Sequence, residues 1–549
     1  MKATKMNNYR YILVIFLSMV LTLQSQVENL PLTSPVYDYL LRAETKGYLE
    51  HNSLSDLPLQ RKVITGILEK IYNDDKASDR DRSIAKFYLR EFNIIEESNA
   101  VIFENEQYDD NIIFDDIISN KDKYFYRYSD SSSNVELKPL VKAELFATNN
   151  DNYDKNSSFI MQGGARLSGT LSYSFGYFLQ ATNGSLLSGS RQLALDRERN
   201  YGNNVKFAFL ENDLDFTLSH ITYENNWFYA TIGREIRNLG AGINQNVFIS
   251  NSSQPFDALS LGAKFKTFEY KFTHGSLLAA PSDSSLTQGF NTTIHDKFLV
   301  MHRFAFRPSW GEIALWEGVI YSNRSIDFAY INPLSFLKSV EHALRDRDNS
   351  MMGLDFTIRP IDNFQLKGSF LLDDIIIDEI GNGFWSNKTA WNVAGIYSFD
   401  APIDIGAEYS RVEPYTYSHF NKANSYSTDN GLLGSIIEPN SDYISVMANY
   451  WIADKYPLTL RYIRKRHGRN EYENGELVKN VGGSSQQTRR PDDSQRVEFL
   501  DGDLINANII QASFGYELFR NFNAKVLYSY EPNNGRNHHY RLIFTLEDF

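Results

Sequence analysis

The chain has 549 residues, a formal net charge of −13 at pH 7 and no cysteine. The acidic balance argues against broad nucleic-acid affinity, which needs a basic surface, and the absence of thiols excludes disulfides and thiolate metal sites. An aromatic content of 14% at a mean hydropathy of −0.40 fits either a soluble β-protein or a membrane β-barrel, because barrel strands need an apolar residue only at every second position.

The first 25 residues predict a secretory signal peptide. Basic residues precede an apolar stretch from Tyr11 to Leu23, which is too short to cross a bilayer, and the small residue Ser25 follows as a cleavage point. No later stretch of the sequence is apolar enough for a spanning helix. The pattern therefore indicates an exported protein from which residues 1–25 are removed.

Residues 26–95 predict a small bundle of amphipathic helices. Ile64, Ile67 and Leu68, for example, recur at the spacing that places them on one face of a helix. The following residues, 96–135, are acidic and mixed in pattern. We interpret them as a linker or a plug segment.

From residue 136 to residue 549, alternating apolar and polar runs come in pairs that are joined by short turns. These turns fall at 173–176, 223–226, near 267, and at 308–311, 360–363, 400–402, 453–455 and 519–521. Between the pairs, the connections are long and polar, at roughly 147–157, 186–204, 234–256, 280–295, 322–348, 377–387, 414–440, 467–502 and 532–538. This alternation predicts a mainly β fold, an antiparallel outer-membrane β-barrel of about eighteen strands.

The orientation of the barrel follows from the even strand number. Both ends of such a barrel lie on one side, and short turns face the periplasm in barrels of this class. We therefore expect the helical bundle at the periplasmic mouth and the long loops outside the cell. The predicted location is the cell outer membrane, crossed many times, with outer-membrane lipid as a partner.

A polar network is predicted inside the barrel, because lumen-facing strand positions are polar. Two stretches supply it: the glycine-rich run from Gly233 to Gly242, and the region from His302 to Asn349. Within the second stretch, we expect residues 334–343 to form a short helix folded into the barrel mouth. The alternative is that these side chains only fill the lumen and satisfy one another's hydrogen bonds. The candidate network residues are Arg234, His302, Arg303, Glu317, Asn332, Glu341, His342, Asp348 and Asn349.

Two long loops, 414–440 and 467–502, combine aromatic and basic residues in a way that suits glycan binding. Aromatic rings stack on the C–H faces of sugars, and guanidinium groups pair with the carboxylates of an anionic glycan. The alternative is an ordinary polar loop surface. The candidate polysaccharide-binding residues are Tyr415, Tyr417, His419, Tyr426, His467, Arg469, Asn470, Tyr472, Arg489 and Arg490.

These segments, in this order and together with the N-terminal block from Pro31 to Gly47, resemble the Wzi family of capsule-assembly proteins. The resemblance implies a barrel of about eighteen strands, closed on the periplasmic side by a helical bundle. It also implies that the outer face binds a cell-surface or exported polysaccharide without catalysis, and it leaves open a polysaccharide export channel as a further partner. The chain departs from the family in its segment 93–123 and in its loop lengths, so the ligand need not be the same polymer.

Two other functions stay open at this point. A porin-like diffusion channel is one, because a barrel of this size can enclose a water-filled lumen, although the bundle and residues 330–348 argue for blockage. An outer-membrane enzyme is the other, but the sequence has no nucleophile elbow, no P-loop, no HExxH motif and no dinucleotide fingerprint. We therefore expect a non-catalytic glycan-binding barrel with neither a cofactor nor a metal ion.

Overall fold

The computed structural model describes residues 26–92, 101–102, 118–202, 204, 207, 212–279, 296–429, 431–533 and 535–549. The expected signal peptide, residues 1–25, lies outside the described residues, and so does most of the expected linker up to residue 117. Among the helices of the described ranges, none is long and apolar enough to cross a membrane.

Eighteen antiparallel strands close into one barrel within the described part of the chain. The barrel closes where the last strand pairs with the first, with Leu542 opposite Leu145. The predicted barrel of about eighteen strands is therefore confirmed. The strands are β1 (Asn134–Thr148), β2 (Ser157–Leu171), β3 (Phe175–Gly189), β4 (Asp213–Glu224), β5 (Phe228–Glu235), β6 (Phe256–Phe265), β7 (Phe268–Leu278), β8 (Asp296–Phe306), β9 (Gly311–Ser322), β10 (Asn349–Ile361), β11 (Phe364–Asp374), β12 (Lys388–Ser398), β13 (Ile403–Val412), β14 (Ser441–Tyr450), β15 (Leu458–Arg469), β16 (Asp503–Phe519), β17 (Phe522–Glu531) and β18 (Asn537–Leu546).

The connections differ in length between the two ends of the barrel, as the sequence predicts. One end carries tight turns, such as 172–174 between β2 and β3 and 266–267 between β6 and β7. The other end carries long loops, such as 413–440 between β13 and β14 and 470–502 between β15 and β16. We refer to them as the short-turn end and the long-loop end.

Side chains alternate between the outward face and the lumen along each strand. On β9, Ile313 and Leu315 point outward and are exposed, whereas their neighbours Glu312 and Ala314 are buried on the lumen side. An exposed apolar outer face over a polar interior is the pattern of a barrel that spans a bilayer.

A helical bundle precedes the barrel, as predicted. Its helices are α1 (Val36–Thr45), α2 (Arg61–Asn73) and α3 (Asp79–Glu91). Their apolar faces form one core, which includes Leu40, Ile64 and Tyr88 and extends to Trp451 in the turn after β14. This contact places the bundle against the short-turn end.

Arg42 of α1 joins the bundle to the barrel. Its side chain is buried, with Nε 2.7 Å from Asp81 Oδ1 in α3 and Nη1 2.8 Å from Asp404 Oδ1 on β13. It also donates to the carbonyl oxygen of Phe399 in the turn between β12 and β13. Burial alone would raise the pKa of the Asp81 carboxyl, but Arg42 and the nearby Lys46 hold this pKa below its usual value of 3.8. The attachment therefore depends on ionised, desolvated groups.

The remaining elements are short. Near the start of β1, the strand Tyr126–Ser129 extends the sheet as a hairpin, with Tyr128 opposite Val135. The other helices are α4 (Arg191–Arg197), α5 (Arg199–Gly202), α6 (Phe328–Ile331) and α7 (Leu337–Ala343), with 3₁₀ turns at Ile377–Glu379 and Lys422–Asn424. The other short strands are Asp56–Leu57, Val101–Ile102, Lys123–Tyr124, Asn238–Leu239, Ser427–Thr428, Gly431–Leu432, Glu471–Glu473 and Glu476–Lys479.

The expectation that residues 334–343 fold into the barrel mouth is wrong. Helix α7 lies on the outside of the wall, where Leu337 packs against Val300 and Val319. Both side chains face outward, because they alternate along their strands with the residues that face the lumen. The helix is amphipathic, and its apolar residues pack on apolar outward side chains of β8 and β9. The lumen-facing neighbours Leu299, Met301 and Ile320 are already buried in a separate apolar core with Phe248 of the loop between β5 and β6.

Candidate functional site

The loop between β5 and β6, residues 236–255, folds into the lumen, and we call it the plug loop. Its Ala241 N–H donates to Ser369 Oγ at 2.7 Å, and its Ala241 carbonyl accepts from Asn392 Nδ2 at 3.1 Å. Ser369 and Asn392 are lumen-facing residues of β11 and β12. The plug loop therefore crosses the barrel interior and is bonded to the far wall.

Glu408, on the lumen face of β13, holds the tip of the plug loop. Its carboxylate accepts the backbone N–H of Ile243 at 2.9 Å, of Asn244 at 2.9 Å and of Gln245 at 3.3 Å. A carboxylate bonded to successive backbone N–H groups is a strong, charge-assisted anchor. Glu408 thus fixes the position of the plug loop.

The loop between β13 and β14 covers the plug loop from the long-loop end. Tyr417 Oη donates to the Val247 carbonyl at 2.9 Å, and Tyr426 Oη donates to the Phe248 carbonyl at 2.7 Å. From the short-turn end, Ser55 of the N-terminal region accepts the Gly240 N–H at its carbonyl oxygen. The lumen is therefore filled in layers by the N-terminal region, the plug loop and loop 413–440.

A cavity of about 690 Å³, lined by both polar and apolar residues, remains in the lumen beside this filling. It runs along the inner wall from Thr33 near the bundle to Thr428 in loop 413–440. Cavities of this size are typical of small-molecule and oligosaccharide-sized ligands. The charged and amide side chains of its wall include Lys142, Glu144, Gln162, Gln180, Glu198 and Arg541.

The charges in this cavity are paired. Arg541 lies 2.5 Å from Glu144 and 2.5 Å from Glu198, and Lys142 lies 3.6 Å from Glu144. The Tyr201 hydroxyl also donates to Glu144. Burial alone would raise the pKa of Glu198, but the Arg541 and Lys142 charges lower it below its ordinary value.

Two polar atoms of the cavity wall have hydrogen-bonding capacity that no described residue uses. Thr182 Oγ1 and Arg541 Nε are buried and have no hydrogen-bond partner among the described residues. Buried polar atoms are normally satisfied by protein, water or a ligand. Paired charges, amides and a free hydroxyl can bind the hydroxyl groups of a sugar.

The structure does not expose the predicted tyrosines of loop 413–440. Tyr415, Tyr417 and Tyr426 are fully buried, and their hydroxyls donate to backbone carbonyls. Stacking on a sugar needs a free ring face, so these three residues cannot serve as the predicted platforms. Tyr417 and Tyr426 hold the loop on the plug loop, and Tyr415 ties it to loop 470–502.

The other predicted polar residues of this set are also engaged. His467 faces the lumen and contacts the Gly483 carbonyl at 2.8 Å, while Asn470 Oδ1 accepts the Val481 and Gly483 N–H groups. Burial lowers the pKa of His419 to about 4, so this imidazole is neutral at pH 7. We assign these three side chains to loop structure.

The remaining predicted residues reach the surface. Tyr472 is 58% exposed, and Arg469 forms an exposed ion pair with Asp503. Arg490 lies 2.8 Å from Asp493 within its own loop. Arg489 lies over the ring of Trp385, 5.6 Å from its centroid.

This last contact belongs to a surface cluster that the sequence analysis missed, which we call the aromatic–arginine ridge. It consists of Phe384, Trp385, Arg489 and Arg496, from loops 375–387 and 470–502. Arg496 lies over the Phe384 ring at 5.6 Å, and Phe384 forms an isolated β-bridge with Arg496. The adjacent aromatic residues Phe384 and Trp385 in a polar loop could have indicated this cluster. Their arginine partners, however, lie more than a hundred positions away in the sequence. The ridge offers aromatic surface and cationic groups together at the long-loop end.

Two of the nine residues that were predicted to form a lumen network do face the lumen. Arg303 lies in the lumen between Glu312 and Asp355, at 2.7 Å and 2.8 Å. Asn349 also faces the lumen and donates to the Asn424 carbonyl at 2.9 Å.

The other seven members of the predicted network lie outside the lumen. His302 and Glu317 are outward residues of β8 and β9, opposite each other in register. Neighbours on a strand face opposite sides, so His302 and Arg303 cannot share the lumen. Arg234 is likewise outward and exposed, paired with Asp257. The rest lie in the outer segment 323–348: Asn332, Glu341, His342 and Asp348.

Comparison with known proteins assigns the chain to a family. The family model described as capsule assembly protein Wzi matches residues 130–538, whereas no curated protein matches the chain. Among solved structures, the chain is similar to Wzi of Escherichia coli, described as an outer membrane protein involved in group 1 capsule assembly and a carbohydrate-binding β-barrel. The TM-score is 0.54 at 10% identity, over 93% of this chain and 97% of that chain.

Two further solved structures are more distant. OprD of Pseudomonas aeruginosa has a TM-score of 0.40 at 12% identity, over 75% of this chain and 94% of its own. OccAB2 of Acinetobacter baumannii has a TM-score of 0.42 at 11% identity, over 75% of this chain and 97% of its own.

Proposed function

The chain belongs to the Wzi capsule assembly family, whose model matches residues 130–538, and from that premise we propose that it holds an exported polysaccharide at the cell surface. The protein is an outer-membrane β-barrel, and its long loops are extracellular. The similar Escherichia coli barrel is described as carbohydrate-binding and involved in capsule assembly. For this chain, the ligand is a capsular or other extracellular polysaccharide, bound without catalysis.

One observation carries the proposal, namely the filled lumen. The plug loop is held by three backbone hydrogen bonds to Glu408 and is covered by the buried Tyr417 and Tyr426. A diffusion channel needs a continuous, wide aqueous path, whereas this filling narrows the lumen to cavities beside the plug loop. The alternative function as a porin-like channel is therefore disfavoured.

Two surfaces suit the proposed ligand. The aromatic–arginine ridge presents half-buried rings, overlaid by guanidinium groups, to an anionic polymer at the extracellular side. The lumenal cavity of about 690 Å³ offers paired charges and amides to one short stretch of sugar. We propose the ridge as the first contact, because a long polymer can lie across it without entering the barrel.

A polysaccharide export channel is a further proposed partner. The plug loop and loop 413–440 obstruct the passage of a polymer through this barrel, so the polymer reaches the surface by another path. Retention near that exit would then be the task of this protein.

Isothermal titration of the purified protein with polysaccharide from its own strain tests the proposal. We expect saturable heat from the folded wild type and a weaker response from Arg496→Ala. Glu476→Ala, an exposed change in another part of the same loop, is the matched control. Absence of heat from folded protein at high polymer concentration would count against the proposed function.

A further inference from the structure

The segment between β9 and β10, residues 323–348, lies on the outside of the barrel wall. Phe272, Val300, Val319 and Tyr321 occupy outward positions on β7, β8 and β9, yet all are buried. They pack with Tyr330 and Leu337 of α6 and α7. We call residues 323–348 the outer-wall segment.

The outer-wall segment is built onto the wall by specific bonds. The Leu337 N–H donates to both carboxylate oxygens of Glu317, at 3.1 Å each, and Glu317 lies 3.1 Å from His302 Nδ1. Tyr270 donates its hydroxyl to the Pro333 carbonyl. Without this cover, a carboxylate and an imidazole would face lipid, which is costly.

Further contacts fix the base of the segment. Arg324 lies 2.7 Å from Asp348 Oδ2 and 4.6 Å from the centroid of the Tyr321 ring. Tyr330 donates its hydroxyl to Asp348 at 2.8 Å. The segment is therefore an ordered part of the outer wall, clamped where it leaves and rejoins the barrel.

The segment reaches below the ends of the strands. Glu317 lies five residues before the end of β9 at Ser322. At about 3.3 Å per residue and a strand tilt of about 40°, five residues correspond to about 13 Å along the barrel axis. Next to Glu317 on the same outward row, Leu315 is 60% exposed and belongs to the lipid-facing surface.

On its far side, the segment exposes large apolar side chains. Phe328 is 87% exposed and Leu334 is 86% exposed, and Phe336 is more than half exposed. Ile326 and Ile331 add to the same region. Such a concentration of apolar surface is unusual in a loop that faces water.

We propose that the outer-wall segment is inserted in the outer leaflet and that its partner is the acyl chains of outer-membrane lipid. Phe328, Leu334 and Phe336 lie among these chains, while the exposed Arg345 and Arg347 lie at the water side. Burying apolar surface in hydrocarbon supplies roughly 25 cal/mol for each Å² removed from water. In-plane amphipathic segments bind membranes on this principle.

The absence of cysteine from the chain allows a direct test. Leu334→Cys is labelled with a solvent-sensitive fluorophore, and the full-length protein is placed in lipid nanodiscs that contain spin-labelled acyl chains. Leu315→Cys serves as the lipid-facing reference, and Glu476→Cys in an extracellular loop serves as the water-facing reference. All three positions are exposed, so the substitutions leave the packing intact.

We expect the spin-labelled chains to quench the fluorescence of the Leu334→Cys label and of the Leu315→Cys label to extents that agree within twofold. Aqueous iodide should quench the Leu334→Cys label little. Iodide quenching equal to that of Glu476→Cys would overturn the proposal. Reaction with a membrane-impermeant maleimide then separates lipid from a protein partner. Protection in both nanodiscs and intact cells supports lipid, whereas protection in cells alone would assign the surface to a protein and would overturn the proposal.

Discussion

Glu408 accepts the backbone N–H of Ile243 at 2.9 Å, which ties the plug loop to a strand eight positions along the barrel from β5, where the loop begins. The bond crosses the lumen, and two further N–H groups share the same carboxylate. Glu408 is therefore a main anchor of the plug loop, alongside Ser369 and Asn392 on the same side of the lumen.

Glu408→Ala should loosen the plug loop. Three backbone N–H groups, one buried and two partly buried, lose their acceptor, so we expect the free energy of unfolding in urea to fall by about 2–4 kcal/mol. In planar bilayers, the wild type should be silent and the variant should show intermittent conductance. Glu476→Ala should change neither quantity, and steady conductance from the wild type would contradict the occluded lumen.

Arg42→Ala should detach the helical bundle. The substitution leaves Asp81 and Asp404 buried without their shared cation, and breaking a buried pair in this way costs about 3–5 kcal/mol. We expect faster proteolysis of residues 26–92 in the variant. The comparison variant is Arg82→Ala, whose ion pair with Asp79 is exposed and contributes about 0–1 kcal/mol. Equal proteolysis of both variants would refute the role of Arg42.

Attachment of the bundle should weaken in acid. The folded pKa of Asp81 lies below its usual value of 3.8, so its contribution is complete above 3.8 and is lost as the pH falls through the lowered folded pKa. Proteolytic protection of the bundle should be constant from neutral pH down to about 4 and should decrease below it. Asp81→Asn should be less protected at neutral pH and should lose this dependence. A transition near neutral pH in the wild type would point to a different group.

Arg496→Ala should weaken binding of the polysaccharide without unfolding the protein. Arg496 is half-exposed, lies over Phe384 and is paired with Glu379 at 2.8 Å, so an anionic polymer would share or replace this carboxylate as its partner. We expect about a tenfold loss of affinity, which corresponds to about 1.4 kcal/mol. Arg496→Lys keeps the charge and should keep part of the affinity. Full affinity in Arg496→Ala would remove the ridge from the proposed site.

Tyr417→Phe should affect stability but not binding. The hydroxyl that it removes donates to the buried Val247 carbonyl, so we expect a loss of about 0.5–1.5 kcal/mol in the free energy of unfolding. The same titration calorimetry should give wild-type affinity. A fall in affinity at unchanged stability would show that the Tyr417 hydroxyl reaches the ligand after all.

The barrel could be predicted from the sequence because the patterns that specify its strands and turns are local. Alternation with a period of two, as in Val526, Tyr528 and Tyr530 on one face, marks strands, and tight turns separate their pairs. The bundle follows from the helical spacing of residues such as Ile64 and Ile67. Each of these signals lies within a few residues of sequence.

The candidate site could not be predicted in the same way because it depends on long-range folding of the loops. Nothing local reveals that Tyr417 bonds to Val247, which lies 170 positions away, or that Arg489 meets Trp385. It could have been predicted that His302 and Arg303 do not both face the lumen, because neighbours on a strand face opposite sides of the wall. The strand assignment alone did not show that an external helix would bury His302.

The most direct test of the central claim is the ratio of cell-attached to shed polysaccharide in a strain that lacks this protein, measured against its parent. If the protein retains the polymer, total polysaccharide should stay unchanged while most of it moves from the cells to the medium. Restoring the wild-type gene should reverse the change, and Arg496→Ala should reverse it only in part. Unchanged attachment in the deletion strain would contradict the proposed function.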